Sequence, residues 1–499
     1  MKNIILTITF LVTITGLTYS QQVNGTIVSD SGNLKVVKIW GTHYQRGFAY
    51  GFLCGHDIMS VWNNYVFPTY GIYLNLAKQI VGNENYFSID NRYRVEAGAI
   101  LDGIGAAGFD TTGLSYLDLF VVNFLNDLQG FMPKKLPSQN CSSLLDWGDA
   151  TLGTDLNGKS VICHHLDADQ PDTAIINNQV LVIHFPSEPD EQPWLLTGTA
   201  GQMTAAQTVN NSGLCAFLNS VEGFSAQINM HYEPITLAIR KAIETADYNN
   251  DGKNNTDDMR AALSSNVNGY ANGFIVCAVA PSTEITDSLT AGIIELASQQ
   301  PYVTYRNADF ADSITGENIY AANSMIKRNN AYDFCSRYTA VKNEINLNYN
   351  GQGIGSQDNW DIMKNFSTQS TNLQMIQVIP ENRIFKISIR DAAHLAYQKT
   401  PMTLDMNILF TPVGIDETNQ TENFNILMYP NPVKEQIQLE LSGNHDHISY
   451  EISDLTGQII QKSVIVNKTN IDVSGFPQGL YLIKVISDKG VTVKNFIKI

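Results

Sequence analysis

The fold is decided by a stretch that reads as strand, turn and strand, Asn140-Cys141-Ser142-Ser143-Leu144-Leu145-Asp146-Trp147-Gly148-Asp149-Ala150-Thr151, then Gly158-Lys159-Ser160-Val161-Ile162-Cys163-His164-His165-Leu166-Asp167. Asp155, Asn157 and Gly158 supply the turn chemistry between its apolar pairs. A hairpin of this shape brings Asp167 back towards Cys141. A thiol beside a carboxylate is a candidate nucleophile with an orienting group. A buried structural cysteine in a hairpin would give the same pattern.

Several motifs in this stretch occur in a familiar order. Cys141-Ser142-Ser143, the segment Trp147–Thr151 and Leu166-Asp167 make the chain resemble the isopenicillin-N acyltransferase-like family of N-terminal-nucleophile hydrolases, and more distantly acid ceramidases and bile-salt hydrolases. The likeness runs from about Gly41 to about Phe410. The resemblance implies an α+β fold, a four-layer αββα sandwich with two sheets between helices.

The resemblance also implies a nucleophile and its activation. Cys141 would attack the substrate after the chain cuts itself between Asn140 and Cys141. The freed α-amine, with a pKa of about 7.7–8.0, would then act as general base on the same residue. Asp167 would hold the amine and the thiol in place.

Three further site residues follow from the resemblance. Asn210, in Asn210-Asn211-Ser212-Gly213-Leu214, and Asn272, before an apolar run, would donate to the oxyanion. His164 stands where the family has arginine, as Cys163-His164-His165 replaces Gly-Arg-Asn, and would serve as a donor or a weak cation. From the residues alone, Asn210 equally fits a hairpin turn, Asn272 a turn, and His164 a hydrogen-bonded histidine at a strand end.

The function implied is that of an autoproteolytic cysteine amidohydrolase or acyltransferase. It would cleave a linear non-peptide amide through an acyl-cysteine intermediate and need no cofactor for catalysis. Two alternatives stay open. One is a phospholipase-B-like hydrolase of the same superfamily acting on an ester, and the other is an inactive surface binding protein on this scaffold, because the change at His164 touches the site.

A second motif is independent of this family. Twelve residues from Asp247 to Asp258 match the calcium loop of an EF-hand, with oxygen ligands at Asp247, Asn249 and Asp251, glycine at the sixth position and Asp258 at the twelfth. Glutamate is usual at the last position, so weakened affinity is expected. A structural calcium is one interpretation, and a solvated loop with Thr256 capping the next helix is the other.

Length and charge exclude some classes. The 499 residues suffice for two or three domains, and 43% hydrophobic with 16% charged residues is typical of a folded chain. The net charge of −17, with no visible basic cluster, disfavours nucleic acid as a partner. The expected partners are a small-molecule amide or ester and the secretion machinery.

The N-terminus has the features of a secretion signal. Lys2 is followed by an apolar run from Ile4 to Leu17 and small residues before Gln21, which predicts a signal peptide at residues 1–20. No other stretch suggests a transmembrane span. The six cysteines show no zinc or disulfide framework, so mostly buried free thiols are expected.

The C-terminal part changes its periodicity. Residues 21–413 form the expected hydrolase domain, and a polar, turn-rich linker is predicted at 414–423. Two-residue alternation then predicts a small all-β sandwich at 424–499. Tyr429-Pro430-Asn431-Pro432 and the run Gly479–Val485 resemble a type IX secretion sorting domain, which implies export to the surface or surroundings of a Gram-negative bacterium.

Overall fold

The computed structural model describes the chain in several ranges, 22–131, 139–168, 172–221, 223–281, 290–308, 316–329, 335–412, 426–441, 448–454, 458–466, 468–487 and 490–499. The predicted signal peptide and the predicted linker lie outside these residues.

The larger of two central sheets has nine strands, in the order β1-β2-β5-β6-β7-β8-β9-β10-β11. Neighbouring strands are antiparallel except β2 and β5, which are parallel. The strands are β1 (Gly25–Ser31), β2 (Leu34–Gly41), β5 (Gln179–Pro186), β6 (Trp194–Thr199), β7 (Gln207–Asn210), β8 (Cys215–Val221), β9 (Gly273–Val279), β10 (Ala291–Leu296) and β11 (Val303–Arg306).

The second central sheet has six antiparallel strands and is built on the predicted hairpin. Its order is β12-β3-β4-β13-β14-β15. The strands are β3 (Gln139–Asp146), β4 (Val161–Ala168), β12 (Asn318–Ala321), β13 (Asn372–Ile379), β14 (Ile384–Ile389) and β15 (Met402–Asp405). In the hairpin, Asn140 pairs with Asp167 and Cys141 with Leu166, so the register expected from the turn residues is confirmed.

Helices cover the outer faces of both sheets. They are α1 (His43–Val61), α2 (Phe67–Val81), α3 (Asn91–Ala106), α4 (Tyr116–Asn123), α5 (Leu125–Leu128), α6 (Thr173–Asn177), α7 (Ile235–Glu244), α8 (Thr256–Ser264), α9 (Ile326–Asn329), α10 (Ser336–Asn348), α11 (Ser356–Phe366) and α12 (Met406–Leu409). A π-helical segment, Trp62–Val66, joins α1 to α2. Thr42 and Gln45 form a capping box that fixes the start of α1.

Three apolar layers hold the sandwich together. One packs α1–α4 and α7 against the nine-stranded sheet, through residues such as Ile100 and Val182. The second lies between the sheets, where Leu145 and Ile162 of the hairpin meet Phe217 and Cys277. The third packs α10 and α11 against the six-stranded sheet, around Tyr320. The order helix, sheet, sheet, helix confirms the predicted αββα architecture.

The C-terminal part is an all-β unit with its own core, and its Leu480 also packs into the apolar layer between the two central sheets. A three-stranded sheet of β16 (Ile426–Tyr429), β17 (Gln436–Leu441) and β20 (Lys468–Asp472) packs on a four-stranded one of β18 (Ser449–Ser453), β19 (Ile459–Val464), β21 (Gly479–Ser487) and β22 (Gly490–Lys498). Ile437, Leu439, Tyr450 and Ile452 alternate into its core. The predicted small sandwich is confirmed.

Candidate active site

Cys141 lies near the start of β3, with its side chain buried. Antiparallel pairing sets it opposite Leu166, and it sets Asn140, the residue before the expected cut, opposite Asp167. The hairpin thus holds the Asn140–Cys141 peptide bond and the carboxyl-bearing residue at neighbouring positions. This proximity is what the sequence pattern predicted.

Arg337, from α10, ties these elements together. Its Nη1 donates to the carbonyl oxygen of Cys141 at 3.4 Å and lies 3.5 Å from Oδ2 of Asp167. Its Nη2 donates to Oδ1 of Asn323 at 2.8 Å. Although Asp167 Oδ2 is within ion-pair distance, it has no aligned hydrogen-bond donor. The guanidinium therefore acts on Asp167 through its charge and is anchored by Asn323.

Asp167 is buried and receives one strong hydrogen bond. Asn372, on β13, donates from Nδ2 to Oδ1 of Asp167 at 2.9 Å. Burial raises the pKa of Asp167 to about 7, although Asn372 and the charge of Arg337 oppose that rise. The carboxyl group therefore titrates near neutral pH.

The Cys141 thiol is held in its protonated form in the continuous chain. Burial raises its pKa, and the charge of Asp167 raises it further, while Arg337 lowers it. All six cysteines are free, and five of them are buried. A buried thiol of this kind is a poor nucleophile until its surroundings change.

The two histidines point in opposite directions, as adjacent strand residues must. His164 lies between the sheets, where its Nδ1 is 2.9 Å from Oγ of Ser143 and its ring stacks on Phe217 at 4.7 Å. His165 bonds instead to the backbone oxygen of Ser367. Burial lowers the pKa of His164 well below its usual range, so it is uncharged. Arg337 places a positive charge beside Asp167, and the role of His164 as a donor or weak cation stays a prediction.

Asn210 is placed at the end of β7, and its amide is engaged elsewhere. Nδ2 donates to the carbonyl of Ile243 at 3.0 Å and to Oδ1 of Asn254 at 2.8 Å, while Oδ1 accepts from the N–H of Leu214. Leu214 lies in the turn after β7, Ile243 near the end of α7, and Asn254 in the loop that follows α7. The structure does not bring Asn210 to Cys141.

Asn272 precedes β9 and is also buried. Its Nδ2 donates to the carbonyl of Asn126 at 3.0 Å. Because Asn126 lines a pocket described below, Asn272 stands behind the wall of that pocket. Among the described residues, its amide bonds to Asn126 and not to Cys141.

A different asparagine, Asn219 on β8, lies near the nucleophile. β8 packs against β3, and Nδ2 of Asn219 donates to the carbonyl of Ala322 at 2.9 Å. Ala322 directly follows Ala321, which is the β12 partner of Ser143. Oδ1 of Asn219 is buried and has no hydrogen-bond partner. The signal in the sequence was an amide residue directly after the apolar run Cys215–Leu218, because a polar group on a buried strand needs a partner.

A pocket of about 100 Å³ adjoins these residues. Its wall includes Ala168, next to Asp167, and Leu373, next to Asn372. Cys141 belongs to the same apolar cluster as the wall residues Tyr70 and Ile175. Concave, mostly apolar pockets of this kind are typical of sites for small molecules.

The calcium-like loop holds itself by hydrogen bonds to its own backbone. Asp247 accepts from the N–H groups of Asp251 and Gly252, and Asp258 accepts from those of Tyr248 and Asn255. The helices predicted around it are α7 and α8. The carboxylates of the loop do not form a converging group within the described ranges. Calcium binding by Asp247, Asn249, Asp251 and Asp258 stays a prediction.

Ligand atoms of His43, Glu191 and Glu244 do converge within 4.8 Å. However, His43 is bonded through both ring nitrogens, to Glu96 at 2.6 Å and to Glu191 at 2.8 Å. Arg240 pairs with Glu96 at 2.6 Å and with Glu244 at 2.9 Å. The hydrogen bonds to both carboxylates raise the pKa of His43 to about 9 against the effect of burial. The cluster is an ion network that ties α1, α3 and α7 together. The ring nitrogens and carboxylate oxygens that could bind a metal already have partners within the protein.

No helix among the described residues is long and apolar enough to cross a membrane. The family of secretion system C-terminal sorting domains matches residues 427–499. The C-terminal sandwich is thus a sorting domain, and the protein carries a signal for secretion.

No curated protein matches the chain. Among solved structures, the chain is similar to an N-acylethanolamine-hydrolyzing acid amidase ortholog from Caenorhabditis elegans, with 12% identity over 53% of this chain and 100% of that chain and a TM-score of 0.36. It is also similar to a mutant conjugated bile acid hydrolase from Clostridium perfringens, with 11% identity over 54% of this chain and 92% of that chain and a TM-score of 0.31. A third similar structure is penicillin V acylase from Agrobacterium tumefaciens, with 8% identity over 56% of this chain and 90% of that chain and a TM-score of 0.30.

Proposed function

We propose that this protein is a secreted cysteine amidohydrolase whose nucleophile is Cys141, acting on a non-peptide amide. The observation that carries the proposal is Arg337, which bonds to the Cys141 carbonyl and lies beside Asp167, next to a pocket. A buried cysteine kept only for packing needs neither a charged partner from a distant helix nor a carboxyl group titrating near neutrality.

Activation would come from cleavage of the Asn140–Cys141 bond. In the continuous chain the thiol is buried and protonated, and His164 is bonded to Ser143. Cleavage would give Cys141 an α-amine with a pKa of about 7.7–8.0, close enough to take the thiol proton. Asp167, paired with Asn140 across the hairpin, would orient that amine.

The reaction would proceed by acyl transfer in two steps. The amine takes the thiol proton as sulfur attacks the carbonyl carbon, and the carbonyl oxygen becomes an oxyanion. The C–N bond then breaks, the leaving amine takes the proton, and a thioester to Cys141 remains. Water, or a second amine in an acyltransferase, attacks the thioester and restores the thiol.

We assign the oxyanion donor to Asn219 in place of Asn210. Its amide is buried beside β12, the strand that pairs with β3, and its Nδ2, which donates to the carbonyl of Ala322, is the N–H group that would turn to an oxyanion. Asn272, behind the pocket wall, would support the pocket. Losing one such donor costs about 3–4 kcal/mol of transition-state stabilisation.

Export would follow the type IX route implied by the C-terminal motifs, to the surface or surroundings of a Gram-negative bacterium. The confirmed sorting domain supports this step. The catalytic domain would then meet its substrate outside the cell, where a net charge of −17 favours solubility over binding to polyanions.

The test is to incubate the secreted protein with N-acyl 4-nitroanilides and 4-nitrophenyl esters, quench with acid, and find the acyl group by peptide mass spectrometry. The proposal expects the label on Cys141 and anilide turnover that Asn219→Ala slows at least about a hundredfold. Asn210→Ala is the matched control and should keep most of the rate. Turnover of esters alone would favour the ester hydrolase, and binding without any acyl-Cys141 would favour the inactive binding protein.

A further inference from the structure

The pocket beside the candidate site has walls of unusual construction. Tyr65 and Val66 line it from the π-helical segment Trp62–Val66, and Tyr70 follows from α2. π-helical turns are rare and occur frequently at functional sites. The hydroxyls of Tyr65 and Tyr70 lie 3.3 Å apart, within hydrogen-bond distance of each other. The opposite wall has Ile175 and Leu373.

Two polar side chains of the wall, Asn123 and Gln202, are hydrogen-bonded to the protein. Asn123 donates to the carbonyls of Leu119 and Gly201 and accepts from Met203 and Thr204. Gln202 likewise accepts from a neighbouring backbone N–H. None of the lining residues that the structure describes is charged. A charged group in this pocket would lose its hydrating water without gaining an oppositely charged side chain as a partner.

The volume sets a limit on size. A cavity of about 150 Å³ holds the six carbons of benzene. The pocket measures about 100 Å³. At the same packing it accommodates about four carbons. A long acyl chain would have to leave the pocket.

Building on the proposed function, we infer that this pocket binds the acyl side of the substrate and selects uncharged acyl groups. About four carbons fill the pocket while the carbonyl carbon stays at Cys141, so the preferred acyl group has about five carbons, with one more or one fewer accepted. The carbonyl would sit at Cys141, and the chain would run past Ala168 and Leu373 towards Ile175 and the tyrosine pair. The amine side of the substrate would lie outside the pocket.

The experiment uses the secreted full chain and a series of N-acyl 4-nitroanilides, acetyl, butanoyl, pentanoyl, hexanoyl, octanoyl and dodecanoyl, with glutaryl as the charged partner of pentanoyl. The inference expects kcat/KM to be highest between butanoyl and hexanoyl. Dodecanoyl and glutaryl should both be slower by at least about tenfold.

Ile175→Ala and Ile176→Ala form a matched pair. Both residues are buried on α6, 9% and 5% exposed, yet only Ile175 lines the pocket. Ile175→Ala should move the optimum to a longer acyl group, and Ile176→Ala should leave it in place. Turnover that prefers dodecanoyl or glutaryl, or an optimum that moves equally in both variants, overturns this inference alone. No turnover of any anilide and no acyl-Cys141 overturns the proposed function as well.

Discussion

Replacing Arg337 with glutamine should destabilise the uncut protein more at high pH than at low pH. Arg337 is 8% exposed and lies 3.5 Å from the buried carboxyl group of Asp167. Breaking a buried ion pair by removing one partner costs about 3–5 kcal/mol when the remaining charge cannot escape. Asp167 can avoid the cost of an unpaired buried charge, because it can keep its proton and stay neutral.

The magnitude follows from the pKa of Asp167, which burial raises from 3.8 to about 7. A raised carboxyl pKa means that the folded state holds the proton more tightly, so stability falls as pH rises and levels off above the folded pKa. In the wild-type protein this loss of stability ends near pH 7. Without the charge of Arg337 the pKa of Asp167 rises further, so stability continues to fall by up to about 1.4 kcal/mol for each pH unit above 7. The variant should therefore lose up to about 2.7 kcal/mol more stability at pH 9 than at pH 6.

The assay is urea unfolding of Cys141→Ala, with and without Arg337→Gln, followed by tryptophan fluorescence. All five tryptophans lie in the first 360 residues, so the signal excludes the sorting domain. The same substitution in an Asp167→Asn background completes a double-mutant cycle and should lose its pH dependence. An Arg337→Gln effect that is equal at both pH values, or that persists in the Asp167→Asn background, would refute the reasoning.

Asp127→Asn should raise stability increasingly from pH 5 to 9, because burial raises the pKa of Asp127 to about 8 and its Oδ2 has no partner; urea midpoints unchanged across that range would contradict this. A chain truncated at Thr418 and expressed without export should stay folded and active, since the sorting sandwich has its own core; loss of the urea transition or of turnover would count against it. Calcium should bind the loop with moderate affinity at most; calorimetry with no heat, or with heat unchanged by Asp251→Ala, would remove that prediction.

The hairpin could be predicted because the residues that determine it lie close together in the sequence. Turn residues and apolar pairs fix the register of β3 and β4, and with it the meeting of Asn140 and Asp167. The small C-terminal sandwich was predictable for the same reason, from two-residue alternation.

The remaining site residues were harder to predict because they arrive from distant elements. Arg337 stands nearly two hundred residues after Cys141, and no spacing rule joins a helix start to a strand that far away. Asn210 is indicated by a turn motif that is visible in the sequence, whereas Asn219 is missed because the sequence does not show which side of a fully buried strand faces β3. His164 was also hard to assign, because the burial against Phe217 that lowers its pKa depends on how the two sheets pack.

The central claim is that Cys141 becomes an N-terminal nucleophile, and intact-mass analysis of the secreted, active protein tests it most directly. The account predicts a fragment that begins at Cys141, while Cys141→Ala gives a single uncut chain without activity. An active protein that remains continuous across Asn140 and Cys141 would contradict the account.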